Sequence, residues 1–340
     1  MKNRSRSFLL AGAGVGMLCL IIDSRYAAQY ASDALMLCLK TVIPSLFPMF
    51  VLSGLMVAAL TGSKSKALSA LETLLGLPKG GGCIFLLGAV GGFPVGAQCV
   101  VQAMDSGLSK KDGERMLGYC NNCSPAFLFG ILGSIFVDSA APLLVFLIQL
   151  ETAAVAAVLW RGGPYRSLEL PQSDASLPKA VNRAVRSMVS VCAWVILAGV
   201  VTGFLKRWLF PFLPEPVPTV LTGLMEITGG VLDLGSVGNE KLRFVLCCVF
   251  VCFGGISVLL QIQSLVTEKG LSMSLCVRQK LFQSLLGGVL ALLSVSLGPG
   301  CLLIPPIFVL LWKKAVEIPQ KSVYNNLHKG GFDHAVPKKD

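Results

Sequence analysis

The chain has 340 residues, of which 54% are hydrophobic and 14% charged, against about 45–50% and about 25% in typical soluble domains. This composition and a mean hydropathy of +0.72 exclude a water-soluble fold and indicate a membrane protein. The formal net charge of +11 does not indicate nucleic-acid binding, because the basic residues lie in short loops between apolar segments.

The sequence does not indicate catalysis or metal binding. Its two histidines, His328 and His334, lie in the polar tail, so no histidine-based site is expected in the membrane. Most of the 12 cysteines lie inside apolar runs, where a free thiol behaves as a small hydrophobic group. Cys120 and Cys123 have the spacing of half a zinc site, but no second pair completes it. We therefore expect no enzyme activity, no metal and no other cofactor.

Apolar segments follow one another along most of the chain. The first, at 8–22, comes after a basic start and predicts an uncleaved N-terminal span within 1–26. The segment at 83–104 is interrupted by a Gly- and Pro-containing stretch, which favours a re-entrant helix pair. The other predicted segments lie at 42–60, 119–137, 140–160, 188–205, 244–266, 281–297 and 301–312.

The segments group into two halves. A linker at 161–187, whose first part is rich in Pro, Gly and Ser, separates 27–160 from 188–313, and a polar tail follows at 314–340. If only 83–104 is re-entrant, 23 of the 29 Lys and Arg residues lie on the cytoplasmic side. The positive-inside rule then predicts about eight crossings of the cell membrane with both termini inside.

An internal repeat is indicated at an offset of 163. It places Gly91–Gln98 over Gly254–Gln261, and seven of the 19 positions from Gly91 to Ser109 are identical. The alternative is that Gly-rich apolar sequences align easily. We predict two structural repeats, the second degenerate, in an all-α polytopic transmembrane bundle with interrupted or re-entrant helices.

The interruption at Gly92, Pro94 and Gly96 has a chemical consequence. A broken helix in lipid leaves unpaired N–H and C=O groups that cost several kcal/mol each, unless protein or a wet cavity surrounds them. The half-helix after Gly96 points its N-terminal amides at the break, which favours an anion. We expect the breaks of the two halves to face each other.

Polar residues in or beside apolar segments are the candidate substrate ligands. The alternative for the two asparagines is a helix N-cap, for the glutamines an inter-helix hydrogen bond, and for the glutamate a solvated interfacial position. We predict that both asparagines, the first glutamine and Gly96 line one pocket, which the glutamate approaches from the second half. The polar candidates are Gln98, Asn121, Asn122, Ser124, Glu226 and Gln261.

These motifs carry a family resemblance. The stretches Gly91–Gln98, Leu108–Arg115, Tyr119–Gly130 and Glu226–Gly230 resemble those of the YlbJ-type sporulation integral membrane proteins. That family belongs to a wider group with nucleoside-recognition or gate domains. The resemblance implies a membrane protein of spore maturation that moves dipicolinate or a similar small metabolite.

Three functions follow as hypotheses. The broken segments favour a transporter of a small anionic metabolite such as dipicolinate, and a nucleoside transporter-like permease is its variant. A non-transporting scaffold for spore-envelope assembly is the alternative from another class. A membrane enzyme is disfavoured, since no catalytic constellation is visible. The expected partners are the bilayer and a small molecule, and self-association stays open.

Overall fold

The computed structural model describes residues 2–60, 65–105, 107–162 and 176–312, which form helices and turns without a strand. This confirms the all-α prediction. The helices of the first half are α1 (Lys2–Ile22), α2 (Ser24–Leu37), α3 (Ile43–Leu60), α4 (Lys66–Leu75), α5 (Gly81–Gly91), α6 (Val95–Asp105), α7 (Lys110–Tyr119), α8 (Pro125–Phe127) and α9 (Ala141–Leu159). Those of the second half are α10 (Leu177–Trp208), α11 (Val217–Met225), α12 (Ile227–Asp233), α13 (Glu240–Phe253), α14 (Ile256–Val266) and α15 (Ser274–Leu297).

Shorter pieces complete these helices. A π-helical turn at Cys38–Val42 joins α2 to α3, and another at Leu128–Leu132 continues α8. The 3₁₀ turns are Phe210–Phe212, Leu234–Ser236, Thr267–Lys269 and Pro299–Leu303, the last leading into helix 304–312.

Five of the described helical stretches are long and apolar enough to cross a membrane. They are Ser24–Met56, Ala141–Leu159, Leu177–Trp208, Glu240–Lys269 and Ser274–Leu297, and shorter apolar helices lie at Leu10–Ile22, Gly81–Gly91 and Pro299–Trp312. Large apolar side chains stand exposed along these stretches, for example Leu285 and Leu297 of α15. In a chain of this composition such a surface faces lipid, so the fold is a helical membrane bundle.

Two boundaries differ from the predicted ones. The apolar segment predicted at 119–137 is not one helix, because α7 ends at Tyr119, an extended loop covers 120–124, and turns follow at 133–140. Buried polar groups within that loop bind other helices, which a hydropathy reading does not reveal. The predicted linker 161–187 contains the start of α10, while 163–175 and the tail from 313 onward lie outside the described residues.

Two helix pairs form hairpins. In the first hairpin, α5 and α6 pack side by side on either side of residues 92–94, the first break. A Cβ atom built on Gly88 would lie 3.2 Å from the Cα atom of Gly96 across this pair. In the second hairpin, α11 and α12 pack equally closely around a tip at Glu226, whose backbone is extended. The interrupted segment at 83–104 is therefore a helix hairpin, as expected for a re-entrant pair.

A second kind of interruption breaks a helix without folding it back. Residues 254–255, the second break, separate α13 from α14, and the two halves share little packing with each other. Gly254 ends α13 with a φ of +88°, a conformation that side chains with a Cβ rarely adopt. The first hairpin packs on α14, and the second hairpin packs on both α13 and α14, so the two hairpins share one half of the broken helix.

The order of elements recurs along the chain. The first half has a long helical stretch (α2–α3), a hairpin (α5–α6), a broken helix (α7–α8) and a long helix (α9). The second half has the same order in α10, α11–α12, α13–α14 and α15. The predicted offset of 163 instead pairs the first hairpin with the broken helix α13–α14, which does not fold back. The Gly-Gly dipeptides that dominate that alignment therefore serve different turns, and the proposed repeat stays a prediction.

Candidate binding site between the helix breaks

Three helix interruptions meet inside the bundle. A Cβ atom on Gly254 would lie 2.8 Å from the Cζ atom of Phe93, so the two breaks are in contact. A Cβ atom on Gly255 would lie 3.2 Å from the amide nitrogen of Ile227 and 3.4 Å from the Cα atom of Glu226, so the second hairpin tip packs there too. The expectation that the breaks face each other agrees with this geometry.

A small cavity of about 50 Å³ lies at this meeting point. It holds a few water molecules at most, since one water needs about 10–15 Å³ of such space. Its polar lining comes from loop 120–124, the start of α12 and α14, and it joins three of the predicted site residues. These lining residues are Ser124, Glu226, Thr228, Ser257 and Gln261, beside apolar walls that include Phe93 and Trp194.

Glu226 is the cap of α12. Its side chain is 5% exposed, so the alternative of a solvated interfacial position is wrong. The Oε1 atom accepts a hydrogen bond from the amide of Thr228 at 2.9 Å, and Oε2 accepts one from the amide of Gly229 at 2.7 Å. A carboxylate at a helix N-terminus is stabilised by these donors and by the helix dipole, so the protein already compensates part of its charge.

Gln261 is a cavity-lining residue that is 3% exposed, and its Nε2 atom has no hydrogen-bond partner among the described residues. The same helix, α14, begins at Ile256, and no side chain in the described part of the chain caps its first amides. Ser257 and Val258 of that first turn line the cavity. An amide donor and an uncapped helix N-terminus therefore border one small space, an arrangement that favours an acceptor-rich or anionic group.

The loop 120–124 is held by the side chains of its own asparagines. Asn121 Oδ1 accepts a hydrogen bond from the amide of Ala97 at 2.8 Å, and its Nδ2 donates to the carbonyl oxygen of Leu117 at 2.7 Å. Asn122 Nδ2 donates to the carbonyl oxygen of Tyr119 at 3.0 Å. Asn121 therefore occupies the N-terminus of α6, where the sequence predicted an anion. The N-cap alternative concerned the helix that opens at Pro125, and there Ser124 is the cap, with its side chain accepting a hydrogen bond from the amide of Phe127.

Close packing fixes this loop against the first hairpin. A Cβ atom on Gly96 would lie 1.9 Å from the carbonyl oxygen of Cys120, and one on Gly92 would lie 2.6 Å from the Cβ atom of Ser124. Gln149 of α9 binds the loop from the other side, with its Oε1 accepting from the amide of Cys123 and its Nε2 donating to the carbonyl of the same residue. The absence of a side chain at Gly92 and Gly96 therefore lets loop 120–124 pack directly against the first hairpin, and Pro94 lies in the turn between the two glycines.

Gln98 does not share this cavity. Its Nε2 donates to Ser187 Oγ of α10 at 2.8 Å, and it lines a separate space with Arg183. The structure therefore does not bring Gln98 and the two asparagines into the cavity that Ser124, Glu226 and Gln261 line, and their role as substrate ligands stays a prediction. The inter-helix hydrogen bond considered as the alternative is the observed arrangement for Gln98.

Lys280 is a polar residue that the sequence reading assigned to a loop. It lies on α15 and is fully buried. Its Nζ donates to Gln283 Oε1 at 3.0 Å, lies 3.5 Å from Asn122 Oδ1, and stands 5.5 Å from the ring centroid of Phe93. Among the described residues no carboxylate forms an ion pair with it. Its signal in the sequence is the spacing of Lys280 and Gln283, which puts both on one helix face.

A wider cleft of about 570 Å³ lies elsewhere, between the turns at 133–140, the start of α13 and the end of α15. Its charged groups are Asp138, Glu240 and Lys241, all of them exposed. None of the predicted site residues lines it. The described residues also contain no group of three His, Cys, Asp or Glu side chains suited to a metal ion.

Fold and site together define a helical integral membrane protein with a small polar cavity between helix breaks. Over 143 residues the chain is 24% identical to the sporulation integral membrane protein YlbJ of Bacillus subtilis (strain 168), a stretch that covers 41% of this chain and 35% of that protein. The match thus spans about a third of that protein's length. No family model matches the chain, and no solved structure matches it. The chain is therefore similar to YlbJ over part of its length, and membership of that family and of the wider gate-domain group stays a prediction.

Proposed function

We propose that this protein acts in spore formation as a transporter of a small anionic metabolite such as dipicolinate. The observation that carries the proposal is the convergence of three helix interruptions on one buried polar cavity. Broken helices are stable at membrane depth only where protein or a wet cavity surrounds their free backbone groups. Transporters use this arrangement to place substrate ligands between two parts that move relative to each other.

The described cavity favours an anion over a cation. The open Nε2 of Gln261 is a donor, and the uncapped start of α14 adds further donors. Glu226, the acidic residue of the cavity, already accepts two amide hydrogen bonds. The sporulation role rests on the name of the relative in Bacillus subtilis and on the motif resemblance.

The cavity of about 50 Å³ is too small for dipicolinate as it stands. Binding therefore requires one hairpin to move away from the second break. Both hairpins pack on the broken helix α13–α14, and residues of both line the cavity. This geometry supports transport by movement of the hairpins against the broken helix.

Filling the cavity is expected to stop substrate accumulation. Ser257 is 5% exposed and lines the cavity, so Ser257→Leu should occupy the space that a substrate needs. Ser264→Leu, on the exposed face of the same helix, is the matched control. Sporulating cells with the gene deleted and complemented by Ser257→Leu should contain little dipicolinate, whereas Ser264→Leu should restore the unchanged level at equal protein abundance.

Removing the open amide is expected to weaken substrate binding. Gln261→Leu keeps the size of the side chain and deletes the Nε2 donor. A lost hydrogen bond worth about 1 kcal/mol raises the half-saturation concentration about fivefold. Concentration series of dipicolinate uptake in membrane vesicles measure this change. A half-saturation concentration equal to that of the unchanged protein would show that Gln261 does not bind the substrate.

A further inference from the structure

The buried ammonium group of Lys280 has no structural counter-charge in the described part of the chain. Its hydrogen-bond partners are neutral amides, Gln283 and Asn122. Burial of an ammonium ion costs several kcal/mol, and a hydrophobic residue of similar volume would satisfy packing alone at least as well. An unpaired ionisable residue within a membrane bundle therefore indicates a ligand pathway.

The residue before Lys280 has an unsatisfied side chain. Gln279 is fully buried, and neither its Nε2 nor its Oε1 has a hydrogen-bond partner among the described residues. It packs against α7, where a Cβ atom on Gly118 would lie 1.8 Å from Gln279 Oε1. Position 279 thus holds an amide without a described partner, and position 280 holds an ammonium group without a described counter-charge.

Phe93 connects this cluster to the cavity. Its ring lines the cavity with Glu226 and Gln261, and Lys280 Nζ faces the same ring at 5.5 Å. Phe93 belongs to the first break, the turn of the first hairpin. A movement of that hairpin would therefore carry the ring away from both the cavity and the ammonium group.

We propose that Lys280 is the positive charge that binds a carboxylate of the transported anion, and that the Phe93 ring closes it off from the cavity until the first hairpin moves. This inference rests on the proposed function and names the ligand class of the site, a small carboxylate. In the closed state the ring face also stabilises the ammonium group by a cation–π contact.

Binding measurements on purified protein test whether the positive charge of Lys280 contributes to binding the carboxylate. Lys280→Met removes the ammonium group and keeps an unbranched apolar chain; Lys269→Met removes an exposed positive charge that pairs with Asp105. Dipicolinate binding, followed by the fluorescence of Trp194 in the cavity wall, should weaken about tenfold or more in Lys280→Met, since hydrogen bonds to charged groups contribute about 1.5–3 kcal/mol. It should be unchanged in Lys269→Met.

A purely structural lysine predicts a different result. Lys280→Met would then lower the thermal midpoint, and its folded fraction would bind dipicolinate with the unchanged dissociation constant. That pair of results would overturn the proposal.

Chemical labelling tests the covering ring and does not need a substitution at Lys280. Acetic anhydride should acetylate Lys280 slowly in the unchanged protein and much faster in Phe93→Ala, as read by mass spectrometry of the peptide. Phe127→Ala is the matched control, because Phe127 lines the cavity and has no contact with Lys280 among the described interactions. Equal acceleration by both substitutions, or none by either, would overturn the role of Phe93.

Protection of Lys280 from acetylation by a bound ligand tests the proposal even if Lys280→Met does not fold. In Phe93→Ala, dipicolinate should slow acetylation of Lys280 and leave that of Lys269 unchanged; no protection of Lys280 would overturn the proposal. The two proposals fail separately. Dipicolinate uptake that is normal in Lys280→Met overturns this inference alone, whereas Lys280-dependent binding without any uptake by the unchanged protein overturns the transport function alone.

Discussion

Replacing Gly96 by alanine is expected to destabilise the protein strongly. The new methyl group would lie 1.9 Å from the carbonyl oxygen of Cys120, a backbone atom of a loop that Asn121 and Gln149 hold in place. Neither the loop nor the first hairpin can move easily to make room. The free energy of unfolding should therefore fall by at least the upper end of the range of about 1–3 kcal/mol that is typical of overpacking. Thermal unfolding in detergent should show a midpoint at least about 5 °C lower.

Gly14→Ala is the matched control for this substitution. A Cβ atom at Gly14 meets nothing within 4 Å, and the residue lies inside α1. Alanine favours a helix interior over glycine by about 1 kcal/mol, so the midpoint should stay the same or rise. Equal midpoints for Gly96→Ala and Gly14→Ala would show that loop 120–124 does not pack into the first hairpin.

Replacing Asn121 by alanine is expected to lower the amount of folded protein without abolishing transport in the fraction that folds. The substitution leaves the amide of Ala97 and the carbonyl of Leu117 buried without partners, at about 1–3 kcal/mol for each group. If this amide lined the pocket that the sequence predicts, the reverse would be expected, with intact abundance and lost transport.

Asn239→Ala provides the comparison for Asn121→Ala. Asn239 also caps a helix through its Oδ1, which accepts from the amide of Leu242 at 3.1 Å, but it is exposed and water can replace it. The loss of folded protein, measured by size-exclusion chromatography of a fluorescent fusion, should therefore be smaller. If Asn121→Ala is as abundant as the unchanged protein but takes up no substrate, the result would support the sequence prediction that Asn121 lines the pocket.

Local chain signals predicted part of this structure. Apolar length and composition give a helical membrane bundle, and Gly91–Gly96 correctly predicts an interruption, because glycine and proline act on the backbone at their own positions. Ser124, Glu226 and Gln261, three of the candidate substrate ligands, line one buried cavity, and their role in binding stays a prediction. These successes all concern features that a residue imposes on its immediate neighbourhood.

Long-range partners decide the rest. The sequence does not show that α6 lies beside Asn121 and supplies a hydrogen-bond partner for its side chain. It also does not show that α10 places Ser187 2.8 Å from Gln98, so that this side chain is already hydrogen-bonded. Lys280 was counted among loop charges, because the positive-inside rule cannot distinguish a lysine at the start of a helix from one buried by neighbouring helices. The second hairpin was missed because its two helices, of 9 and 7 residues, are too short to be recognised as apolar spans.

Uptake of labelled dipicolinate into proteoliposomes that hold only the purified protein tests the proposed transport function. We expect saturable uptake that is absent from empty liposomes, is lost in Ser257→Leu and is retained in Ser264→Leu. No uptake by the correctly folded, unchanged protein would contradict it. Uptake of uridine in place of dipicolinate would support a nucleoside permease, and uptake of neither compound would favour the scaffold.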